Sequence, residues 1–228
     1  MKPITTRMME YPINAHSSPA YLARPEDDQI YPGVVVIQEW WGLVPHIKDV
    51  AERFAREGFV ALAPDLYHGQ ASTEPDEARK LAMALDANRA IQEIAAAARY
   101  LKKSVGVQRV GVVGWCMGGG LCLSAAAHYG EVFNAAVAFY GRPLTAGDTS
   151  KLTVPVLGLY AEHDHGIPVE AVRAFEEELQ KRQVPHEVHV YPDVQHAFFN
   201  DTRPVIYNAA AAQDAWQKTM TWFQHYLV

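Results

Sequence analysis

The sequence predicts an α/β fold in which a mostly parallel central sheet of about seven to eight strands carries helices on both faces. Strand-like runs alternate with amphipathic helical segments along the chain, which is the order of elements found in parallel sheets. Several of the runs are apolar throughout, as in Gly33–Ile37, and such runs are typical of strands buried on both faces. Neither a repeat nor a linker divides the 228 residues, so we expect one domain over residues 1–228.

The first half of the chain predicts four strands and two helical regions. Residues 4–11 and 19–23 alternate in the manner of half-exposed strands. The apolar runs at residues 33–37 and 59–63 predict buried strands. Between them, residues 46–57 have apolar side chains at the spacing of an amphipathic helix, and residues 76–103 form an alanine-rich helical region.

The second half continues the alternation. Mostly apolar runs predict four strands, at residues 109–114, 134–139, 154–160 and 186–191. Helices are predicted at residues 117–129, 169–181 and 207–227. Ligands of parallel sheets bind beyond the carboxyl ends of the strands, so we expect the functional residues in the loops that follow these strands.

The composition excludes several classes of protein. With 20 Lys and Arg against 26 Asp and Glu, the formal charge is −6, which argues against nucleic acid or an anionic membrane as a partner. No apolar run reaches the roughly 18–20 residues of a membrane span, and the first residues lack the apolar stretch of a signal peptide. We therefore expect a cytoplasmic protein. Two cysteines, Cys116 and Cys122, do not make a disulfide scaffold or a cysteine-based zinc site.

One of these cysteines lies in a turn suited to a nucleophile. Cys116 stands between a predicted strand and a predicted helix, with Gly114 and Gly118 two residues away on either side. This is the nucleophile elbow of α/β-hydrolases with Cys in place of Ser, and it predicts an α/β-hydrolase fold. The helix N-terminus beneath the thiol favours a thiolate. The alternative for Cys116 is a structural cysteine in a glycine-rich turn. For Cys122, which lies within the predicted helix, we expect a structural role in the core.

A cysteine nucleophile needs a base and an acid, and in α/β-hydrolases the acid precedes the histidine along the chain. His196 follows the last predicted strand and a Pro-Asp turn, which places it at the carboxyl edge. Asp164 and Glu162 both follow the preceding strand, and Asp164 is favoured because a proline four residues later can start the next helix. His163 and His165 lack a third ligand at a recognisable spacing, so we expect no metal.

Two backbone N–H groups are expected to form an oxyanion hole. One belongs to Met117, the residue after the nucleophile, and the other to the loop after Gly33–Ile37, where Trp40 is the expected donor. Because main-chain donors leave the side chain free, the tryptophans of this loop either line an apolar pocket or pack in the core.

At this point the chain resembles the dienelactone hydrolase family. The segments that carry the resemblance are residues 38–42, 63–67, 114–119, 164–168 and 196–198, in family order over nearly the whole chain. The resemblance implies a triad of Cys116, His196 and Asp164. It also implies that Glu39 contacts the resting thiol and is displaced when substrate binds, and that Tyr140 lies in the substrate pocket.

The expected substrate pocket comprises Trp41, Tyr67, Arg79, Tyr140 and Phe198. Lactonases of the family that the chain resembles hold a substrate carboxylate with two arginines. In this sequence Arg79 lies in the corresponding helical region, Arg203 is displaced, and Phe198 and its neighbours follow His196. The aromatic side chains therefore favour a less polar ester or lactone, or else they pack in the core.

These observations predict a hydrolase that cleaves an ester or lactone through a thioester acyl-enzyme, with no cofactor, as a monomer or small homo-oligomer. A thioesterase or small-acyl esterase with the same triad fits the sequence equally. The sequence is also compatible with a non-catalytic scaffold that binds a small molecule and with a thiol redox sensor at Cys116. The order of the triad argues against the scaffold, and the expected burial of Cys122 argues against a resolving cysteine.

Overall fold

The computed structural model describes residues 2–14 and 16–228. Its sheet has the strand order β1-β2-β4-β3-β5-β6-β7-β8. The strands of this sheet are β1 (Ile4–Ile13), β2 (His16–Pro25), β3 (Gly33–Ile37), β4 (Val60–Pro64), β5 (Val110–Trp115), β6 (Ala135–Phe139), β7 (Val156–His163) and β8 (His186–Gln195). Strands β1 and β2 are antiparallel to their neighbours, whereas β4, β3 and β5 to β8 run parallel.

Helices cover both faces of the sheet, as predicted. They are α1 (Pro45–Arg56), α2 (Pro75–Ala84), α3 (Ala87–Tyr100), α4 (Met117–His128), α5 (Ala146–Thr149), α6 (Val169–Lys181) and α7 (Ala209–Leu227). Val35 and Ile37 of β3 pack on the face that carries α3 and α4, while Val34 and Val36 pack on the face of α1 and α7. Side chains of successive strand residues point to opposite faces, so an unbroken apolar run serves both cores.

The helical region predicted over residues 76–103 is divided in two. Helix α2 ends at Ala84, and Asp86 then caps α3 by accepting hydrogen bonds from the N–H groups of Asn88 and Arg89. A short polar side chain at the N-cap accepts hydrogen bonds from N–H groups of the first turn, so a new helix begins there.

The last strand is longer than predicted. The sequence places its end at residue 191 before a Pro-Asp turn, but β8 continues to Gln195. Ala161 pairs with Tyr191 and His163 with Gln195, so β8 accommodates two additional residues in a bulge where Asp193 has a φ of 54°. A bulge bends its strand without ending the pairing, which sequence alternation alone does not reveal. Across the described part of the chain, no helix combines the length and apolar character needed to span a membrane.

Candidate active site

The turn between β5 and α4 holds Cys116 in a conformation that an L-residue rarely adopts, with φ 57° and ψ −119°. The glycines on either side permit it. A Cβ on Gly114 would lie 2.1 Å from the carbonyl oxygen of Gly118, and a Cβ on Gly118 would lie 2.3 Å from that of Gln38. The backbone N–H of Cys116 donates to Phe139 of the neighbouring strand, at 3.0 Å. Strand, turn and helix therefore hold a half-buried thiol at the carboxyl edge.

The two cysteines differ in their surroundings. The Cys122 thiol is fully buried and lies 3.4 Å from the carbonyl oxygens of Val112 and Val137. Burial raises the pKa of the Cys122 thiol, because the apolar interior disfavours the thiolate. Cys122 is a core residue, in agreement with the prediction.

Asp164 and His196 are hydrogen-bonded at the edge where Cys116 lies. They follow β7 and β8, and His196 Nδ1 is 2.5 Å from Asp164 Oδ2. The other oxygen of Asp164 accepts the N–H groups of Gly166 and Ile167 at 2.8 and 3.1 Å, which fixes the carboxylate. Glu162, the competing acid, is exposed and accepts the backbone N–H of Asp193 instead.

The ring of His196 is the centre of this arrangement. Burial by itself lowers the pKa of His196, but hydrogen bonds with Asp164 and Cys116 outweigh it and raise the pKa to about 10. The imidazolium form of His196 is therefore stabilised at neutral pH. The ring also lies 4.9 Å from that of Tyr140, centroid to centroid.

The Tyr67 side chain contacts both residues that are expected to supply the oxyanion donors, Trp40 and Met117. Tyr67, which follows β4, donates its hydroxyl hydrogen bond toward the carbonyl oxygen of Trp40 at 3.1 Å and also lies 3.4 Å from Met117 Sδ. Burial raises the pKa of Tyr67, so its hydroxyl stays protonated. Among the described residues, the backbone N–H groups of Trp40 and Met117 have no hydrogen-bond acceptor, which leaves both available to a ligand.

Glu39 is buried beside these groups, with 1% of its surface exposed. Its Oε2 accepts a 2.8 Å hydrogen bond from Asn200 Nδ2, and its Oε1 accepts one from the Tyr140 hydroxyl at 3.4 Å. Burial raises the pKa of Glu39, against the opposing effects of His46, Asn200, His196 and Tyr140. Among the described residues, the hydrogen bonds of Glu39 are those with Asn200 and Tyr140, and none is with the Cys116 thiol. The gating role that the family resemblance implies stays a prediction.

The sequence model of the dienelactone hydrolase family matches residues 18–227. The chain belongs to the dienelactone hydrolase family. "Protein usf" of Aquifex pyrophilus is 37% identical over 230 residues, covering 97% of this chain and 99% of that protein. A protein of Escherichia coli K12 named "Putative carboxymethylenebutenolidase" is 35% identical over 234 residues, covering 94% of this chain and 85% of that protein.

A solved structure gives the same assignment. The "Putative Dienelactone Hydrolase" of Klebsiella pneumoniae superposes with a TM-score of 0.91 at 31% identity, covering 99% of this chain and 100% of that one. The α/β-hydrolase fold predicted from the elbow is thereby confirmed. As a member of the dienelactone hydrolase family, the chain is a hydrolase that acts on carboxylic esters or lactones.

The remaining predicted pocket residues of this dienelactone hydrolase family member occupy different environments. Trp41 is mostly buried, with its ring 4.9 Å from that of Trp40 and the Arg203 guanidinium 4.8 Å from its centroid. Phe198 and Tyr140 are both fully buried, with their ring centroids 5.3 Å apart, and their place in the substrate pocket stays a prediction. Arg79 is exposed on α2 and has no hydrogen bond or ion pair with the described residues.

Two buried residues of the site escaped the sequence analysis. Asn200 holds Glu39, and its own Oδ1 accepts the N–H and hydroxyl of Thr202. His46, near the start of α1, lies within electrostatic range of Glu39. The signal for Asn200 was its position in the loop of His196, where Ala197 has a φ of 65° and turns the chain back. For His46, a buried position at the start of an amphipathic helix carried no such signal.

One histidine of the pair that the sequence analysis considered as metal ligands lies beside two carboxylates. Asp193 of the β8 bulge lies near Glu162 and His163, with one ligand atom from each within 4.8 Å of the others. All three side chains are exposed, and His165 is not part of the group. The bulge accounts for this proximity, and exposed acidic groups of this kind are common on protein surfaces.

Proposed function

We propose that Cys116, His196 and Asp164 form a catalytic triad that hydrolyses a carboxylic ester or lactone through a thioester acyl-enzyme. The observation that carries the proposal is the strained backbone of Cys116 at the end of β5, beside a histidine that a buried aspartate orients. Strain of this kind persists only where the surrounding structure imposes it, and it is concentrated at functional sites.

The thiolate of Cys116 attacks the carbonyl carbon, and the carbonyl π electrons move to the oxygen. The N–H groups of Trp40 and Met117 stabilise that oxyanion. When the tetrahedral intermediate collapses, the C–O bond to the alcohol breaks and the His196 imidazolium donates its proton to the leaving alkoxide. The products of this half-reaction are the free alcohol, or the open hydroxy-acyl chain of a lactone, and a thioester on Cys116.

Hydrolysis of the thioester returns the site to its starting state. Neutral His196 takes a proton from water as the oxygen attacks the thioester carbonyl, and the same oxyanion donors act again. Collapse of the second intermediate releases the carboxylic acid and the Cys116 thiolate. The Asp164 carboxylate orients the ring and stabilises its cationic form in both half-reactions.

The walls of the site favour an uncharged ester or lactone as substrate. The rings of Trp40 and Trp41 are in contact, the Tyr67 hydroxyl donates to the Trp40 carbonyl oxygen, and Arg79 is exposed without a partner among the described residues. The cytoplasmic location, the single domain and the monomeric or small homo-oligomeric state stay predictions from the sequence.

The test is hydrolysis of p-nitrophenyl acetate by wild type, Cys116→Ala and Cys122→Ala. We expect Cys116→Ala to abolish turnover. Cys122→Ala should retain turnover, and iodoacetamide should inhibit it as it inhibits the wild type. Acid quenching of the wild-type reaction should leave one acetyl group on the peptide that contains Cys116. Full turnover by Cys116→Ala would exclude the covalent mechanism. A panel of lactones, aryl esters and thioesters then distinguishes the lactonase from the thioesterase.

A further inference from the structure

The loop after β4 is bound along the segment that is expected to supply the first oxyanion donor, residues 38–42. At one end of the segment, Gln38 Oε1 accepts the backbone N–H of Leu66 at 3.2 Å. At the other end, an isolated antiparallel bridge joins Gly42 to Ala71. Both ends of the segment are therefore tied to the loop after β4, and its middle needs a contact of its own.

The middle of the segment is a turn. The N–H of Gly42 donates to the carbonyl oxygen of Glu39 at 3.3 Å, which makes residues 39–42 a β-turn with Trp40 and Trp41 at its centre. The central peptide unit of such a turn can take two opposite orientations, and these distinguish turn types I and II. The conformation of Trp40 therefore depends on what holds the carbonyl group of that central unit.

The Tyr67 hydroxyl holds it. The hydroxyl donates to the carbonyl oxygen of Trp40 at 3.1 Å, and no other group among the described residues is hydrogen-bonded to that oxygen. The same hydroxyl lies 3.4 Å from Met117 Sδ. Because a hydroxyl has one proton and a thioether sulfur is a weak acceptor, the contact with Met117 is mainly one of packing. One oxygen atom thus touches both residues whose N–H groups are the expected oxyanion donors.

Tyr67 is itself fixed in place. Its backbone N–H donates to Oδ1 of buried Asp65 at 3.2 Å, and Asp65 Oδ2 accepts the N–H of Gly69 at 2.8 Å, so the aspartate closes the turn that carries Tyr67. Only 5% of the Tyr67 surface is exposed. Burial raises the pKa of the Tyr67 hydroxyl, and the nearby Cys116 raises it further, so the group keeps its proton and remains a donor.

We propose that Tyr67 is a positioning residue of the oxyanion hole, because its hydroxyl fixes the Trp40 carbonyl group and the spacing between the N–H groups of Trp40 and Met117. This role rests on the thioester mechanism proposed above, which requires an oxyanion at these donors. Without the hydroxyl, the central peptide of the turn is free to rotate and a gap opens beside Met117. Donors that are held in place stabilise an oxyanion because they need no reorganisation during the reaction. Tyr67 then acts through Trp40 rather than as a wall of the substrate pocket.

The variant that tests this role is Tyr67→Phe, which removes the hydroxyl and keeps the ring. Tyr21→Phe is the matched control, because it removes from β2 a hydroxyl that donates to Glu52 at 2.8 Å. Both variants and the wild type are compared in kcat and KM for p-nitrophenyl acetate, with the enzyme concentration taken from the amount of Cys116 that iodoacetamide labels. This normalisation confines the comparison to molecules that present the thiol.

Two further measurements separate the oxyanion from the thiol. The first is the inhibition constant of trifluoroacetophenone: the thiolate adds to its carbonyl carbon, the π electrons move to the oxygen, and the adduct carries an oxyanion. The second is the rate at which iodoacetamide alkylates Cys116. In that reaction the sulfur displaces iodide from carbon, and no oxyanion forms.

We expect kcat of Tyr67→Phe to fall about 10-fold, less than the roughly 10²–10³-fold cost of losing a donor outright, because both N–H groups remain and only their placement is relaxed. The inhibition constant of the ketone should rise by a similar factor, because the adduct uses the same donors. KM and the alkylation rate should stay within about twofold of wild type, because neither substrate binding nor the displacement of iodide draws on an oxyanion. Tyr21→Phe should match wild type in every measurement.

Three results would overturn the role of Tyr67. An unchanged kcat and ketone constant in Tyr67→Phe would show that the hydroxyl does not position the donors. A parallel loss of kcat and of the alkylation rate would show that Tyr67 acts on the thiol. A rise in KM with kcat retained would show that Tyr67 lines the substrate pocket. Failure of the proposed function would be seen separately, as full ester turnover by Cys116→Ala with Tyr67 unchanged.

Discussion

The close contact between the elbow and the loop after β3 gives the sharpest test of how this site is built. A Cβ on Gly118 would lie 2.3 Å from the carbonyl oxygen of Gln38 and 2.7 Å from that of Ile37. Both are backbone atoms of the segment that leads to Glu39 and Trp40. Because real Cβ atoms essentially never come within 3.0 Å of another heavy atom, Gly118→Ala must separate the two segments by at least 0.7 Å, the difference between 3.0 and 2.3 Å.

That displacement is expected to reduce catalysis far more than it reduces folding. It moves the N–H of Trp40 relative to that of Met117, and a misplacement of about 1 Å at a reacting centre costs on the order of 10²-fold in rate. Loss of a single oxyanion donor costs about 10²–10³-fold. We expect kcat of Gly118→Ala for p-nitrophenyl acetate to fall about 10²-fold, while overpacking lowers the unfolding free energy by about 1–3 kcal/mol.

Gly120→Ala is the matched control, because it makes the same change two residues further along α4. There the new Cβ would meet its nearest neighbours, backbone atoms of Arg142, at 3.6 Å, which is ordinary van der Waals contact. The assays are steady-state kinetics and urea unfolding of both variants, with alkylation of Cys116 to show that the thiol is still presented. If Gly118→Ala retains the kcat of Gly120→Ala, the close approach does not position the oxyanion donors and the reasoning fails.

Two further predictions concern His196. Asp164→Asn replaces the anion that orients the ring, so kcat should fall by about 10³-fold or more, as it does when the aspartate of a Ser-His-Asp triad is neutralised. A circular dichroism spectrum like that of wild type checks that the variant keeps its fold. Near-normal turnover would remove Asp164 from the triad. Because the folded state raises the pKa of His196 from 6.5 to about 10, its contribution to stability is fully present below pH 6.5 and is lost as the pH rises toward 10. Urea unfolding across this range should therefore show a decline in wild type that His196→Gln lacks, and parallel curves for the two proteins would contradict the assignment.

Most of the fold could be predicted because its signals are local. The runs at Gly33–Ile37 and Ala135–Phe139 are apolar at every or nearly every position, which is typical of strands buried on both faces. The exceptions include the short helix α5, the division between α2 and α3 and the extension of β8 to Gln195. The bulge is sustained by pairing with β7, far along the chain, whereas the break before α3 comes from a local cap by Asp86 that the helical periodicity of the region does not reveal.

Site residues could be predicted where their role depends on neighbours in the sequence, and could not where it depends on residues far along the chain. Cys116 stood out because its two glycines serve one turn. His196 and Asp164 followed from the ends of the neighbouring strands. Asn200 and His46 did not, because Asn200 acts through its hydrogen bond to Glu39 and His46 lies against Asp201, and both contacts exist only after the chain has packed.

What the sequence determined by itself is the thiol and the place where it is presented. Gly114 meets a local need of the turn, because a Cβ there would lie 2.1 Å from the carbonyl oxygen of Gly118. Gly118 instead leaves room for the backbone of Gln38, which only the folded sheet brings near. The tertiary structure decided which acid partners His196, and it buried Glu39 with hydrogen bonds from Asn200 and Tyr140. The physical reason is that burial and opposing charge depend on residues far apart in the chain, so they exist only once the chain has folded.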